Sequence, residues 1–179
     1  MAQAYSAEGN PDRAIEEYKL TLMYDPNSAL VHARLAAEYI KKGTLSLALD
    51  SSKAALRIDP NFVDARLMLA GLYSSMNQEP LALAEYNRIL EQDSTHSEAA
   101  VYKAQTLAEM DKPAEALQTL KQFVKKNPKS AIVWYYLGRF HQQEDHFEKS
   151  VLAYKRAIDL KPDFSQAALA LGYLYEVKG

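Results

Sequence analysis

Prolines recur in this chain at a fixed interval, and few folds accommodate that. Pro26 and Pro60 stand thirty-four residues apart, as do Pro128 and Pro162, and two such intervals separate Pro60 from Pro128. Their contexts are alike: DPN, DPN, NPK and KPD. Ser94, in QDSTH, fills the missing place, and its neighbours still read as a turn. Proline has no backbone amide to donate and disfavours helix in the residue before it. In LRIDPNFVDARLMLAGLY, Leu56 to Tyr73, one helix must therefore stop near Pro60 and another must start directly after. Such a period marks a repeat architecture, in which one supersecondary unit stacks on copies of itself.

Other positions keep the same interval. Ala2, Ala36, Ala70, Ala104, Gly138 and Gly172 form one small series, and Ala14, Ala48, Ala82, Ala116 and Ser150 form another. Tyr5, Tyr39, Tyr73, Leu107, His141 and Tyr175 form a mostly aromatic series, and Tyr18, Ser52, Tyr86, Leu120 and Tyr154 a second mixed one. Small residues mark where helix backbones approach closely, and large ones fill the space around them. Two helical patterns lie between successive prolines. Asn10-Pro11, Glu79-Pro80 and Lys112-Pro113 start the second of each pair, because proline fits the first helical turn. Lys41 to Thr44 (KKGT) offers a glycine cap, and Gln143 to Phe147 (QEDHF) is the equivalent polar break. The patterns predict helices near 11–24, 29–42, 46–58, 63–76, 80–92, 97–110, 113–126, 131–144, 147–160 and 165–177, with residues 1–8 the tail of another.

Composition narrows the function. The formal net charge is −2 over 179 residues, too balanced for nucleic acid or an anionic membrane to be the main partner. The chain has no cysteine, which excludes disulfides, thiol nucleophiles and thiolate metal sites. No run of apolar residues is long enough to span a membrane, and MAQAYSAEGN does not read as a signal peptide. The compartment stays open: a cytoplasmic location is expected, with the periplasm as the alternative if a signal was removed.

These features resemble the tetratricopeptide repeat family, whose unit is a helix–turn–helix of this length. The match is best from Ala131 to Phe164, where Trp134, Leu137, Gly138, Tyr154, Ala157 and Pro162 stand at the family's offsets. There His141 replaces a tyrosine and Ser150 an alanine. The unit 97–130 fits worst, with Lys103 at the leucine position and Phe123 at the last alanine. The resemblance implies an all-α fold, a right-handed α-solenoid of antiparallel helix pairs forming one domain over 1–179. It divides into a partial repeat 1–28, full repeats 29–62, 63–96, 97–130 and 131–164, and a partial repeat 165–179. It also implies a segment of a longer, bacterial-type array, since the last helix, SQAALALGYLYEVKG, lacks the polar face of a cap.

The implied function is a non-enzymatic adaptor or scaffold, with a protein or peptide as partner and no cofactor. In the family the first helices of each unit line a concave face, with the second, fifth, ninth and twelfth positions turned toward it. Here those are Leu30, Ala33, Ala37 and Ile40; Asp64, Leu67, Gly71 and Ser74; Glu98, Val101, Gln105 and Ala108; Ile132, Tyr135, Arg139 and Gln142; then Gln166, Leu169, Tyr173 and Glu176. The candidate binding residues are Leu30, Ala33, Ala37, Leu67, Gly71, Val101, Gln105, Ile132, Tyr135, Arg139, Leu169 and Tyr173, each of which either faces the groove or packs on a neighbouring helix. Tyr135 and Arg139 lead, because aromatic and arginine residues are typical hot spots. A mostly apolar floor suits an amphipathic helix or an extended peptide with apolar anchors.

The lysine and asparagine clamp by which chaperone-binding members hold a terminal carboxylate is absent, with only Arg139 basic at the corresponding places. A structural alternative is head-to-tail self-assembly, with helix 165–177 of one molecule docked on helix 11–24 of the next. His141, Glu144, Asp145 and His146 are the one tight titratable cluster, but their spacing straddles a turn and does not suit a metal. Lys121, Lys125, Lys126 and Lys129 form a mild basic patch that reads as a solvated helix end.

Overall fold

The computed structural model describes residues 1–178, and the described residues form eleven α-helices with no strand. They are α1 (Ala2–Ala7), α2 (Pro11–Tyr24), α3 (Ala29–Lys41), α4 (Leu45–Ile58), α5 (Val63–Ser75), α6 (Glu79–Gln92), α7 (Ser97–Glu109), α8 (Pro113–Lys126), α9 (Ala131–Gln143), α10 (Phe147–Leu160) and α11 (Ser165–Lys178). Each expected helix is present, with bounds within about one residue, the ordinary latitude of a helix end. The architecture is an all-α solenoid of helix pairs. The chain falls into two compact units, Met1–Glu85 and Tyr86–Gly179.

In the first unit α2 packs on α1 and α3, α4 packs on α3 and α5, and α3 also meets α5. Ala14, Ala36, Ala48, Ala55, Ala65 and Ala70 have no exposed surface there, and Tyr18 and Tyr39 lie against the same core. In the second unit α8 packs on α7 and α9, α7 meets α9, and α10 packs on α9 and α11. Its small positions Ala104, Ala116 and Ser150 are likewise fully buried, as are Leu120 and Tyr154. Methyl-sized residues let helix backbones close up, and burying each large neighbour contributes about 2 kcal/mol.

Two details of the turns repeat with the unit. Gly9, Gly43, Asn77, Asp111 and Asp145 all have positive φ, between 53° and 76°. They lie thirty-four residues apart, at the turn between the two helices of a pair. Glycine, asparagine and aspartate are the residues that enter this left-handed region most readily, so the chain reverses there at little cost. Only the glycine of KKGT is picked out as a cap by the sequence.

The second detail concerns the turn between pairs. The fourth residue of the first helix reaches back six places to the carbonyl at the proline position. His32 Nε2 meets the Pro26 oxygen at 3.0 Å, and Trp134 Nε1 donates to the Pro128 oxygen at 2.9 Å. Arg66 Nη2 donates to the Pro60 oxygen in the same way. The fourth residue of 97–130 is Ala100, which has no donor. There Asn127 Nδ2 donates to the Ser94 carbonyl instead, at 2.8 Å. A turn carbonyl is thus held by a side chain in each of these four cases, by four different residue types.

Candidate functional site

The second unit carries three adjoining clefts. Along α9, Tyr135, Arg139 and Gln142 follow one another at helical spacing, as do Gln166, Leu169 and Tyr173 along α11. These six residues line one cleft of about 710 Å³ together with Gln143, Tyr154 and Ala170. A smaller cleft of about 180 Å³ adjoins it through Arg139 and Gln143, and is lined by Gln105, Ala108, Glu109, Tyr136 and Phe140. A third, of about 410 Å³, shares Gln142 and Tyr173 and extends to Asp145, Phe147, Leu174, Val177 and Lys178.

The floor is rigid. Tyr135 packs its ring at 5.1 Å from Phe164, 5.3 Å from Tyr136 and 5.9 Å from Tyr154. The Tyr154 hydroxyl donates to Gln142 Oε1 at 2.7 Å, and burial pushes its pKa up to about 12. That phenol therefore stays a neutral donor and orients the Gln142 amide. The Arg139 guanidinium lies over the Tyr136 ring at 5.5 Å, a stacking contact that leaves its hydrogen-bonding edge available. Above this floor Leu169 is 74% exposed and Tyr173 60%. Large apolar side chains held in water beside a fixed arginine and two amides can take apolar anchors and hydrogen-bond a peptide.

The expected binding positions divide into four groups. Gln105, Tyr135, Arg139, Leu169 and Tyr173 line the clefts. Ile132 is half-buried against the Ala157, Phe164 and Ala167 core. In the first unit Leu30 is exposed, while Ala37, Leu67 and Gly71 are half-buried. Ala33 and Val101 must be corrected: both are core residues, 3% exposed. Ala33 packs with Ala55 and Ala65, and its side chain is too short to emerge past the neighbouring helices. Tyr135, at the same place in its unit, is long enough to do so. Glu109, Tyr136, Phe140 and Gln143 were not anticipated, because they flank the expected stripe. A wider apolar and amide-bearing face on α9 is the signal that would have found them.

His141 is a packing residue, 4% exposed, with Nδ1 unpartnered among the described groups. Burial holds its pKa down at about 4, and the charges of Lys121, His146 and Lys149 add to the effect. Its folded pKa lies below the unfolded value, so the folded state refuses a proton that the unfolded chain accepts. Stability is complete above about pH 6.5 and declines as pH falls toward 4. Between pH 7 and 5 the loss from this residue is expected to be about 1–2 kcal/mol. In His141→Tyr that part of the acid dependence should vanish, as measured by urea titrations at the two pH values. No group of three or more metal-ligating side chains is found among the described residues. No described helix is long and apolar enough to cross a membrane.

Paired helices repeated at this interval, with side chains of α9 and α11 lining one cleft, define a repeat protein. Family models for the tetratricopeptide repeat match residues 1–28, 39–106 and 102–163. The chain belongs to the tetratricopeptide repeat family, whose members are protein–protein interaction modules. No curated protein matches the sequence. Among solved structures it is similar to MamA, with 17% identity over 93% of this chain and 97% of that one, at a TM-score of 0.75. PilF of Pseudomonas aeruginosa aligns at a TM-score of 0.77 with 20% identity, covering 98% of this chain and 80% of that one. YrrB, described as a TPR protein with an unusual peptide-binding site, aligns at 0.65 with 26% identity, covering 94% and 87%.

Proposed function

We propose that the face built from α7, α9 and α11 binds an amphipathic segment of a protein partner, with Tyr135 and Arg139 at its centre. The observation that carries this is the 710 Å³ cleft whose packed aromatic floor leaves Leu169 and Tyr173 exposed. An apolar helix face or extended peptide would cover those side chains, and Arg139, Gln142 and Gln166 would satisfy its polar groups. The peptide-binding site reported for YrrB is in keeping with such a role. A photo-crosslinking residue placed at Tyr173 tests it in a lysate of the source organism, read by mass spectrometry. The expected product is one foreign protein, linked through an amphipathic stretch, and Arg139→Glu should reduce its yield about tenfold. Products linking only copies of this chain would sink the proposal.

A second reading is self-assembly. On α2, Leu20 (50%), Met23 (77%) and Tyr24 (91%) are exposed, and on α11 Tyr175 (46%) and Val177 (67%) join Leu169. Exposed apolar residues on both helices would be covered if α11 of one molecule met α2 of the next. Light scattering across a concentration series decides this: growth of mass with concentration supports it, and a constant monomer mass counts against it.

A further inference from the structure

The unit 97–130 breaks the repeat at two neighbouring places, and the two breaks create one feature. Its fourth position is Ala100, where the other full repeats have His32, Arg66 and Trp134. Its seventh is Lys103, where the equivalents Leu35, Leu69 and Leu137 are all buried. The short Ala100 leaves a cleft of about 230 Å³ between α7 and α8, walled by Leu90, Phe123 and Ala100. Lys103, half-buried, lines this cleft with Thr119, Gln122 and the exposed Lys126. Neither lysine has an ion-pair partner among the described residues. The carboxylate of Asp93, next to the lining residue Ser94, is already engaged by the Thr95 amide and hydroxyl, at 2.8 and 2.6 Å.

We propose that this cleft is a receptor for the carboxylate side chain of a glutamate or aspartate on a protein partner, with Lys103 as its anion ligand. It is distinct from the face on α9 and α11 and shares no residue with it. Burial lowers the pKa of the Lys103 amine, because an ammonium is costly to keep in such surroundings without an anion. A carboxylate entering the cleft meets that charge where water screens it poorly, so the pair is stronger than one on open surface. The apolar walls fit the methylenes of an acidic side chain, and the Gln122 amide offers a further donor, whereas the Thr119 hydroxyl already donates to the Glu115 carbonyl at 2.9 Å. Inorganic phosphate suits the site less well, since it would bring a strongly hydrated double charge against Leu90 and Phe123.

The test is an amide NMR titration of the full chain with acetyl-Leu-Glu-Ala-amide, its glutamine counterpart and inorganic phosphate as probes. The glutamate peptide is expected to shift the amides of Lys103, Thr119 and Gln122 saturably in the millimolar range, binding about tenfold tighter than the glutamine peptide. Lys103→Met should abolish those shifts while raising Tm by about 2–4 °C, because an apolar chain then occupies a core leucine position. That rise separates a lost ligand from a lost fold. Lys126→Gln, an exposed change, should weaken binding without moving Tm. The proposal is overturned by any of three results: equal shifts from both peptides, shifts that survive Lys103→Met, or phosphate binding at least as tight as the glutamate peptide. Crosslinking at Tyr173 reads the other face, so each site can fail alone.

Discussion

Arg66→Met is expected to destabilise the chain by about 3 kcal/mol, a Tm fall of about 6–12 °C. Arg66 and Glu85 are both nearly buried, at 8% and 7% exposure, and Nη1 donates to Glu85 Oε2 at 2.6 Å. Nη2 of the same guanidinium holds the Pro60 carbonyl. One side chain therefore ties the turn before α5 to both α5 and α6. Methionine keeps most of the volume but removes both bonds, taking the guanidinium charge from beside a buried carboxylate and the donor from a turn carbonyl. Burying two charges is costly in itself, so the pair need not be worth much compared with an apolar pair. The double change Arg66→Met, Glu85→Leu should accordingly recover most of the loss. Urea titrations of the three variants give the coupling, and a single-variant cost under about 1 kcal/mol would contradict this account.

Gly138→Ala is expected to cost about 2 kcal/mol, although alanine is the better helix former by about 1 kcal/mol. A Cβ at Gly138 would stand 2.6 Å from Tyr154 Cδ1 and 2.7 Å from Cε1. Those are ring atoms of a fully buried tyrosine whose hydroxyl is bonded to Gln142, so the ring cannot swing aside cheaply. Ser150 Oγ also donates to the Gly138 carbonyl at 2.9 Å, fixing α10 against α9 at the same point. The loss should appear as a Tm fall of about 4–8 °C, and Tyr154→Leu in the same chain should relieve most of it. Because Tyr135 packs on Tyr154, the variant should also weaken capture of a partner at the α9 and α11 face. Unchanged stability would mean that the helix approach is looser than the structure shows.

Much of the fold was legible because its signals are local. The prolines at 26, 60, 128 and 162 stop helices through their own covalent geometry, and the alanine series repeats wherever two backbones must meet. The left-handed turn residues were legible in principle, yet only Gly43 stood out, since Asn77, Asp111 and Asp145 also read as ordinary polar loop residues. The family resemblance pointed to Tyr135, Arg139, Leu169 and Tyr173, all of which line a cleft, but not to Tyr136 and Gln143, which line one too, because they flank the expected stripe.

By itself the sequence determined the repeat, the helices and the family, because backbone dihedral preference and hydrophobic periodicity act within a few residues. Tertiary structure alone decided which equivalent positions do different work. Ala33 and Val101 are sealed in the core while Tyr135 reaches a cleft, although all three hold the fifth place of a unit. His32, Arg66 and Trp134 hold a turn carbonyl that Asn127 holds for Ser94. Lys103, at a leucine position, lines a cleft with Ala100 and Phe123. Exposure and partnership are properties of what packs opposite a side chain, and that neighbour is brought there by the fold from a distant part of the chain.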